Sequence, residues 1–269
     1  MKTKFLALAL VLGAVFSTLP STSHAARITK TICDPAADSG NGFGAGNYRG
    51  QFYSWFELSQ NNIKDCTVKI GFYNDANRHF RAEWKMAKSW DEDAVGGLGW
   101  SAGSLNRKIG YNVGELTTNS NIQKALVTLY GWSCRGNKSQ EYYVVESWAG
   151  ATQYVPWDEN VGAPATSKGT VYANDETYDV YVVDRYGKQY CGRGDERGFK
   201  QYWSVRRSPT TVTEDQELDF RPHVNRWDNS DLGFDRLGLG NGYQVFGIEI
   251  FGDENVEHEG VIDASAWIR

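Results

Sequence analysis

The chain has 269 residues, with 28 lysines and arginines against 33 aspartates and glutamates and a formal net charge of −5. That acidic balance disfavours nucleic acid or an anionic membrane surface as a partner. The length suits one large all-β domain as well as two small ones, and no Pro-rich or Ser-rich linker divides the chain.

Residues 1–25 place Lys2 and Lys4 before an apolar run from Phe5 to Phe16 and end in Ser23-His24-Ala25, a small-x-small cleavage signal. They read as a secretory signal peptide, because the run falls short of the roughly 20 residues a membrane span needs. Its removal takes away two lysines and no acids, leaving a formal charge of −7 on a soluble, secreted chain, extracellular or periplasmic. Residues 26–47 form a Gly-rich lead-in, "DSGNGFGAGNYRG" running from 38 to 50. Its glycine triplets lack the preceding strand and following helix of a phosphate loop, so flexible coil is expected there.

Residues 48–269 are expected to form the main domain. They fall into short segments rich in Tyr, Trp, Val, Thr and Ile, separated by Gly, Asn, Asp and Ser clusters. "QFYSWFEL", "TVKIGFY", "HFRAEW", "KALVTLYGW", "EYYVVESW", "TYDVYVVDRY", "KQYWSVRR" and "YQVFGIEIF" follow one another as strands of antiparallel sheets. Only "RPHVNRWDNSDLGF" reads as helix, with Pro222 in the first turn and Gly233 near the end. One helix among about a dozen strands predicts an all-β sandwich of two sheets.

Four cysteines, Cys33, Cys66, Cys134 and Cys191, contain no C-x-x-C pair, and in an exported chain they read as two disulfides. Three connectivities are possible; Cys33 to Cys66 and Cys134 to Cys191 is favoured. No metal site is expected, since the histidines lack ligand spacing. Asp253-x-Asn255-x-Glu257 shares only a fragment of a calcium loop and reads as a solvated acidic turn.

Aromatic residues make up 14% of the chain, and many Tyr and Trp alternate with polar residues. Such side chains offer a flat apolar face and a hydrogen-bonding edge, which suits a sugar ring as well as ordinary cross-strand packing. Strand period two puts Glu141 on one face with Tyr143, and Glu249 on one face with Tyr243. A carboxylate on a half-buried strand face costs desolvation energy unless paired. Two of them beside aromatics point to glycoside chemistry, which needs two carboxyl groups flanking one bond.

"VGGLGW" (95–100), "LYGW" (129–132), "EYYVVESW" (141–148), "TYDVYVVDR" (177–185), "QYWSVRR" (201–207), "HVNRW" (223–227) and "YQVFGIE" (243–249) occur in that order. In that order and spacing the chain, from about Tyr48 to Trp267, resembles a glycoside hydrolase family 11 endo-β-1,4-xylanase. The resemblance implies a β-jelly-roll of two curved sheets whose concave face holds xylan or a xylo-oligosaccharide, a retaining mechanism, no cofactor and a monomer. It assigns Glu141 as nucleophile and Glu249 as acid/base. Tyr130, Tyr143, Arg185, Gln201 and Tyr243 become substrate contacts, and Asp93 falls where the family carries a residue hydrogen-bonded to the acid/base. An Asp there implies an acidic optimum through coupled titration.

Two carboxyl groups so close cannot both ionise cheaply, so Glu141 is expected charged and Glu249 protonated. The chain departs from the family pattern in several places. The segment between Arg185 and Gln201 lacks the Pro-Ser-Ile tip of the thumb loop. The turn from Trp132 to Glu141 is two residues longer, an even insertion that preserves strand parity. Ile250 and Phe251 follow the acid/base where Gly and Tyr are usual. At the sugar-stacking position the choice lies between Trp55 and Phe56, with Trp55 favoured. A non-catalytic carbohydrate-binding jelly roll and a β-glucan hydrolase of the same architecture are the alternatives.

Overall fold

The computed structural model describes residues 28–32, 41–48, 50–58, 67–73, 77–88, 93–119, 124–135, 138–188, 197–210, 213–233, 237 and 242–269. The expected signal peptide, Cys33, Cys66, Cys191 and most of the expected thumb segment lie outside them. Cys134 is disulfide-bonded.

In chain order the strands are β1 (Ile28–Ile32), β2 (Asn41–Tyr48), β3 (Gln51–Leu58), β4 (Thr67–Phe72), β5 (Arg78–Met86), β6 (Asp93–Trp100), β7 (Lys108–Thr118), β8 (Ala125–Arg135) and β9 (Lys138–Trp148). There follow β10 (Trp157–Asp158), β11 (Ala163–Pro164), β12 (Thr170–Ala173), β13 (Glu176–Lys188), β14 (Arg197–Arg206), β15 (Gln216–Asp219), helix α1 (Phe220–Trp227), β16 (Gln244–Phe251) and β17 (His258–Ile268). A six-stranded sheet runs β1-β4-β5-β17-β7-β15, and a nine-stranded sheet runs β12-β13-β14-β9-β8-β16-β6-β3-β2. The architecture is the expected jelly-roll sandwich. One pairing departs from the expected antiparallel pattern: β14 lies parallel to β9.

Alternation sorts the side chains of the nine-stranded sheet. Tyr142, Val144, Phe246, Ile248 and Ile250 enter the core between the sheets, together with Ile70, Phe80 and Tyr111 of the six-stranded sheet. Tyr130, Tyr143, Val145, Trp203, Tyr243 and Val245 form a second cluster on the opposite face. Both faces are therefore covered, which is why β9 is buried at every position from Ser139 to Trp148. Gly97 faces Gly247 across β6 and β16. A Cβ on Gly97 would sit 2.5 Å from the Phe246 carbonyl oxygen, and one on Gly247 2.2 Å from that of Gly96, so only glycine permits this approach.

The coil expected near residue 42 is instead strand β2, paired with β3 at the sheet edge. Gly44 and Gly46 lie under the Trp55 and Tyr53 rings, where a Cβ would come within 2.4 and 2.8 Å. The glycines make room for aromatics on the neighbouring strand, a pattern that composition alone does not separate from coil. Helix α1 ends earlier than "RPHVNRWDNSDLGF" suggests. Asp219 caps its start by accepting from the Arg221 amide at 3.0 Å, and Asn229 caps a separate short turn at 230–232 that ends in left-handed Gly233. Phe220 and Trp227 pack on Tyr142, so the helix braces the back of the strand that carries Glu141.

Candidate active site

Glu141 (β9) and Glu249 (β16) sit on strands separated by β8 and are almost fully buried, 6% and 3% exposed. Register alone does not bring them together, because Glu141 pairs with Trp132 of β8 while Glu249 pairs with Leu126. What links them is Tyr143, together with the electrostatic influence of Glu141 on Glu249. The Tyr143 hydroxyl donates to Glu249 Oε1 at 3.2 Å and lies within hydrogen-bonding range of Glu141.

The two carboxyl groups have unequal surroundings. Tyr130 donates to Glu141 Oε1 at 2.7 Å, and Gln201 donates to Oε2 at 2.6 Å. Burial raises the Glu141 pKa, while these donors, Tyr143 and the Arg185 charge pull it back. Glu249 Oε2 is buried with no hydrogen-bond partner. Burial pushes the Glu249 carboxyl well above its ordinary range, and Asp93 and Glu141 push it further. Glu249 therefore holds its proton more tightly than Glu141.

Asp93 begins β6, two pairs along from the Val95–Glu249 pairing. Burial and the nearby Glu141 charge raise its pKa to about 7. Its Oδ1 and the Oε2 of Glu249 are both buried without partners, and the Asp93 charge raises the Glu249 pKa.

The remaining expected contacts are placed as follows. Tyr130 is held by the Trp132 indole, which donates to its hydroxyl at 2.7 Å. Arg185 donates through Nε to Gln201 Oε1 at 2.7 Å. Tyr243 packs against the Phe43, Phe52 and Tyr130 rings on the cleft face. Trp55 is a correction: it packs with the core between the sheets, whereas Phe56 packs with the cleft cluster. The reason is parity, because Phe52 faces the cleft and Phe56 lies four residues along the same strand. In the stretch from Trp132 to Glu141, β8 continues to Arg135 and β9 starts at Lys138, and Trp132 pairs with Glu141. Among the described residues no cluster of His, Cys, Asp and Glu could hold a metal ion. Asp253 instead accepts from the Asn255 amide at 2.9 Å in an acidic turn.

The sequence matches the glycosyl hydrolases family 11 over residues 49–258. The chain belongs to that family.

The family 11 chain is 30% identical over 198 residues to endo-1,4-β-xylanase A of Gibberella zeae, covering 74% of this chain and 70% of that protein. It is 31% identical over 207 residues to endo-1,4-β-xylanase 3 of Pyricularia oryzae, covering 76% and 73%. A solved endo-1,4-β-xylanase from Trichoderma reesei superposes with a TM-score of 0.53 at 29% identity, covering 74% of this chain and 92% of that one. The protein is thus a glycoside hydrolase with the family's sandwich.

Several cleft residues of this family 11 chain escape a sequence reading. Trp203 stacks face to face on Tyr143, with centroids 3.6 Å apart and planes at 2°. Tyr154 packs on Trp203 and stacks parallel to Phe251. Parity with Gln201 in "QYWSVRR" could have placed Trp203 in the cleft; nothing local marks Tyr154. Behind β16, Trp84 donates to His258 Nδ1 at 3.2 Å, so His258 Nε2 carries the proton donated to the Phe251 carbonyl at 2.8 Å.

Proposed function

We propose that the protein is a retaining endo-β-1,4-xylanase that cleaves internal xylosidic bonds of xylan by double displacement. The observation that carries the reading is the pair of buried carboxyl groups: Glu141 accepts from Tyr130 and Gln201 on its two oxygens, whereas Glu249 accepts from Tyr143 on one oxygen and has the other buried without a partner. The substrate comes from the relatives, which are named as endo-1,4-β-xylanases.

In the first step ionised Glu141 attacks the anomeric carbon while Glu249 gives its proton to the departing glycosidic oxygen. This leaves a glycosyl ester on Glu141 and a carboxylate at Glu249. Loss of the Glu141 charge removes one cause of the raised Glu249 pKa, so Glu249 becomes a competent base for the incoming water. Water attacks the anomeric carbon, its proton passes to Glu249, and the bond from that carbon to Glu141 breaks so that Glu141 leaves as carboxylate. Both groups return to their starting states. The carboxyl groups supply nucleophile, acid and base, so the step needs no cofactor.

Asp93 couples to the Glu249 titration and draws the optimum toward acid. The N-terminal segment exports the chain, which then works as a monomer. Reducing-sugar release from xylan by purified protein, abolished in Glu141→Ala, tests the activity. Equal or greater release from mixed-linkage β-glucan would reject the substrate assignment, and xylan binding without release would make the protein a binding module.

A further inference from the structure

Arg185 is tied to two partners on opposite sides. Through Nε it reaches Gln201 Oε1 at 2.7 Å, and through Nη1 it reaches Glu159 Oε1 at 2.8 Å. Gln201 Nε2 in turn donates to Glu141 Oε2 at 2.6 Å. These contacts form an unbroken chain, Glu159–Arg185–Gln201–Glu141, from a surface turn to the nucleophile.

The turn is stiff. Glu159 sits in the β10–β11 hairpin, where Trp157 pairs with Pro164 and Asp158 with Ala163. The Asp158 carbonyl accepts from the Gly162 amide at 2.8 Å, and the Asp158 carboxylate accepts from the Asn160 amide at 3.0 Å. The hairpin closes again where the Ala165 amide donates to the Pro156 carbonyl at 2.8 Å. The residue after each partner repeats the contact, since the Tyr186 hydroxyl donates to Asn160 Oδ1. Two neighbouring residues of the hairpin thus clasp two neighbouring residues of β13.

Amide chemistry gives the chain a direction. A glutamine side chain offers one acceptor oxygen and one donor nitrogen. With Oε1 of Gln201 taken by Arg185, Nε2 must face Glu141. Without Arg185 in place the amide is free to turn, and an oxygen facing the Glu141 carboxylate would oppose the charge that attack requires.

We propose that Glu159 is a positioning residue: the β10–β11 hairpin anchors Arg185 through it, Arg185 fixes the Gln201 amide, and Gln201 holds Glu141 ionised and in place. The inference rests on Glu141 being the nucleophile, as in the proposed function. The hairpin therefore acts on Glu141 only through Arg185 and Gln201.

The test compares Glu159→Ala with Glu159→Gln, following the Glu141 titration by carboxyl 13C NMR in glutamate-labelled protein and kcat on xylan. The groups facing Glu141 are Tyr130, Tyr143, Gln201, Arg185, Glu249 and Asp93, and none is altered. Removing the Glu159 charge directly could only lower the Glu141 pKa, because one negative charge leaves the neighbourhood. Releasing Arg185 and Gln201 raises it. The expected result is an upward shift and a roughly 3- to 10-fold loss of kcat in Glu159→Ala, with Glu159→Gln close to wild type because its amide oxygen still accepts from Arg185. A downward or absent shift in Glu159→Ala, or equal shifts in both variants, overturns the proposal. The titration reads the chain of contacts even if xylan proves not to be the substrate, so the two failures are distinguishable.

Discussion

Gln201 lies directly opposite Glu141 across the parallel pairing of β9 and β14 and donates to its Oε2 at 2.6 Å. This is the sheet's one parallel pair among the strands that carry the site, and it brings the donor and the acceptor to the same level. The next pair on that face, Tyr143 and Trp203, is stacked. The ionised state proposed for Glu141 is therefore supported by strand register.

Replacing Gln201 by leucine is expected to lower kcat by about 10- to 100-fold, since a hydrogen bond to a charged group contributes about 1.5–3 kcal/mol. Burial then acts on Glu141 with one opposing donor fewer, so its pKa rises. The acidic limb of the kcat/KM profile should move to higher pH, a shift that a purely structural loss would not produce.

Asp93 has a folded pKa of about 7 against an ordinary 3.8. The folded chain holds this proton over a window in which the unfolded chain has released it, so stability is full below about pH 4 and falls as pH rises toward 7. Asp93→Asn removes the penalty. Its thermal midpoint is expected to rise at pH 7 by more than at pH 4, by about 2–4 °C for each kcal/mol recovered, while the activity optimum moves toward neutrality. An unchanged pH–activity profile would reject the coupling to Glu249.

Glu146 occupies an extra position on β9 where the register with β8 shifts, and it is fully buried. It accepts from Tyr111 at 2.5 Å and from Tyr178 at 3.0 Å and pairs with Arg206 at 3.3 Å, linking both sheets. Glu146→Ala leaves a buried guanidinium short of a partner, which costs about 3–5 kcal/mol. Chemical denaturation should show that loss while the Glu141 titration stays unchanged in the folded variant.

Trp55 and Phe56 separate by readout. Phe56→Ala is expected to raise KM for long oligosaccharides roughly 10-fold, from about 1.5 kcal/mol of lost apolar contact. Trp55→Ala is expected to leave KM in place and to lower stability by about 2–3 kcal/mol, because its ring fills the space over Gly44 beside the core. The opposite pattern would return the stacking role to Trp55.

The sandwich, the helix and the face shared by each glutamate with its tyrosine were legible because strand alternation and capping are local signals. Trp55 was misplaced because adjacent residues differ only in parity, which is fixed once Phe52 is known to face the cleft. Strand β2 was hidden because glycine alternation beneath Tyr53 and Trp55 has the composition of a coil. The parallel β9–β14 pairing and the Glu159–Arg185 contact join residues 60 and 26 positions apart, and no local pattern encodes them.

The most direct measurement is the anomeric configuration of the first product released from xylan, followed by proton NMR before mutarotation. Double displacement through Glu141 predicts that the β-anomer appears first and the α-anomer only later. An initial α-anomer would mean that water attacks directly, and would contradict the assignment of Glu141 as nucleophile.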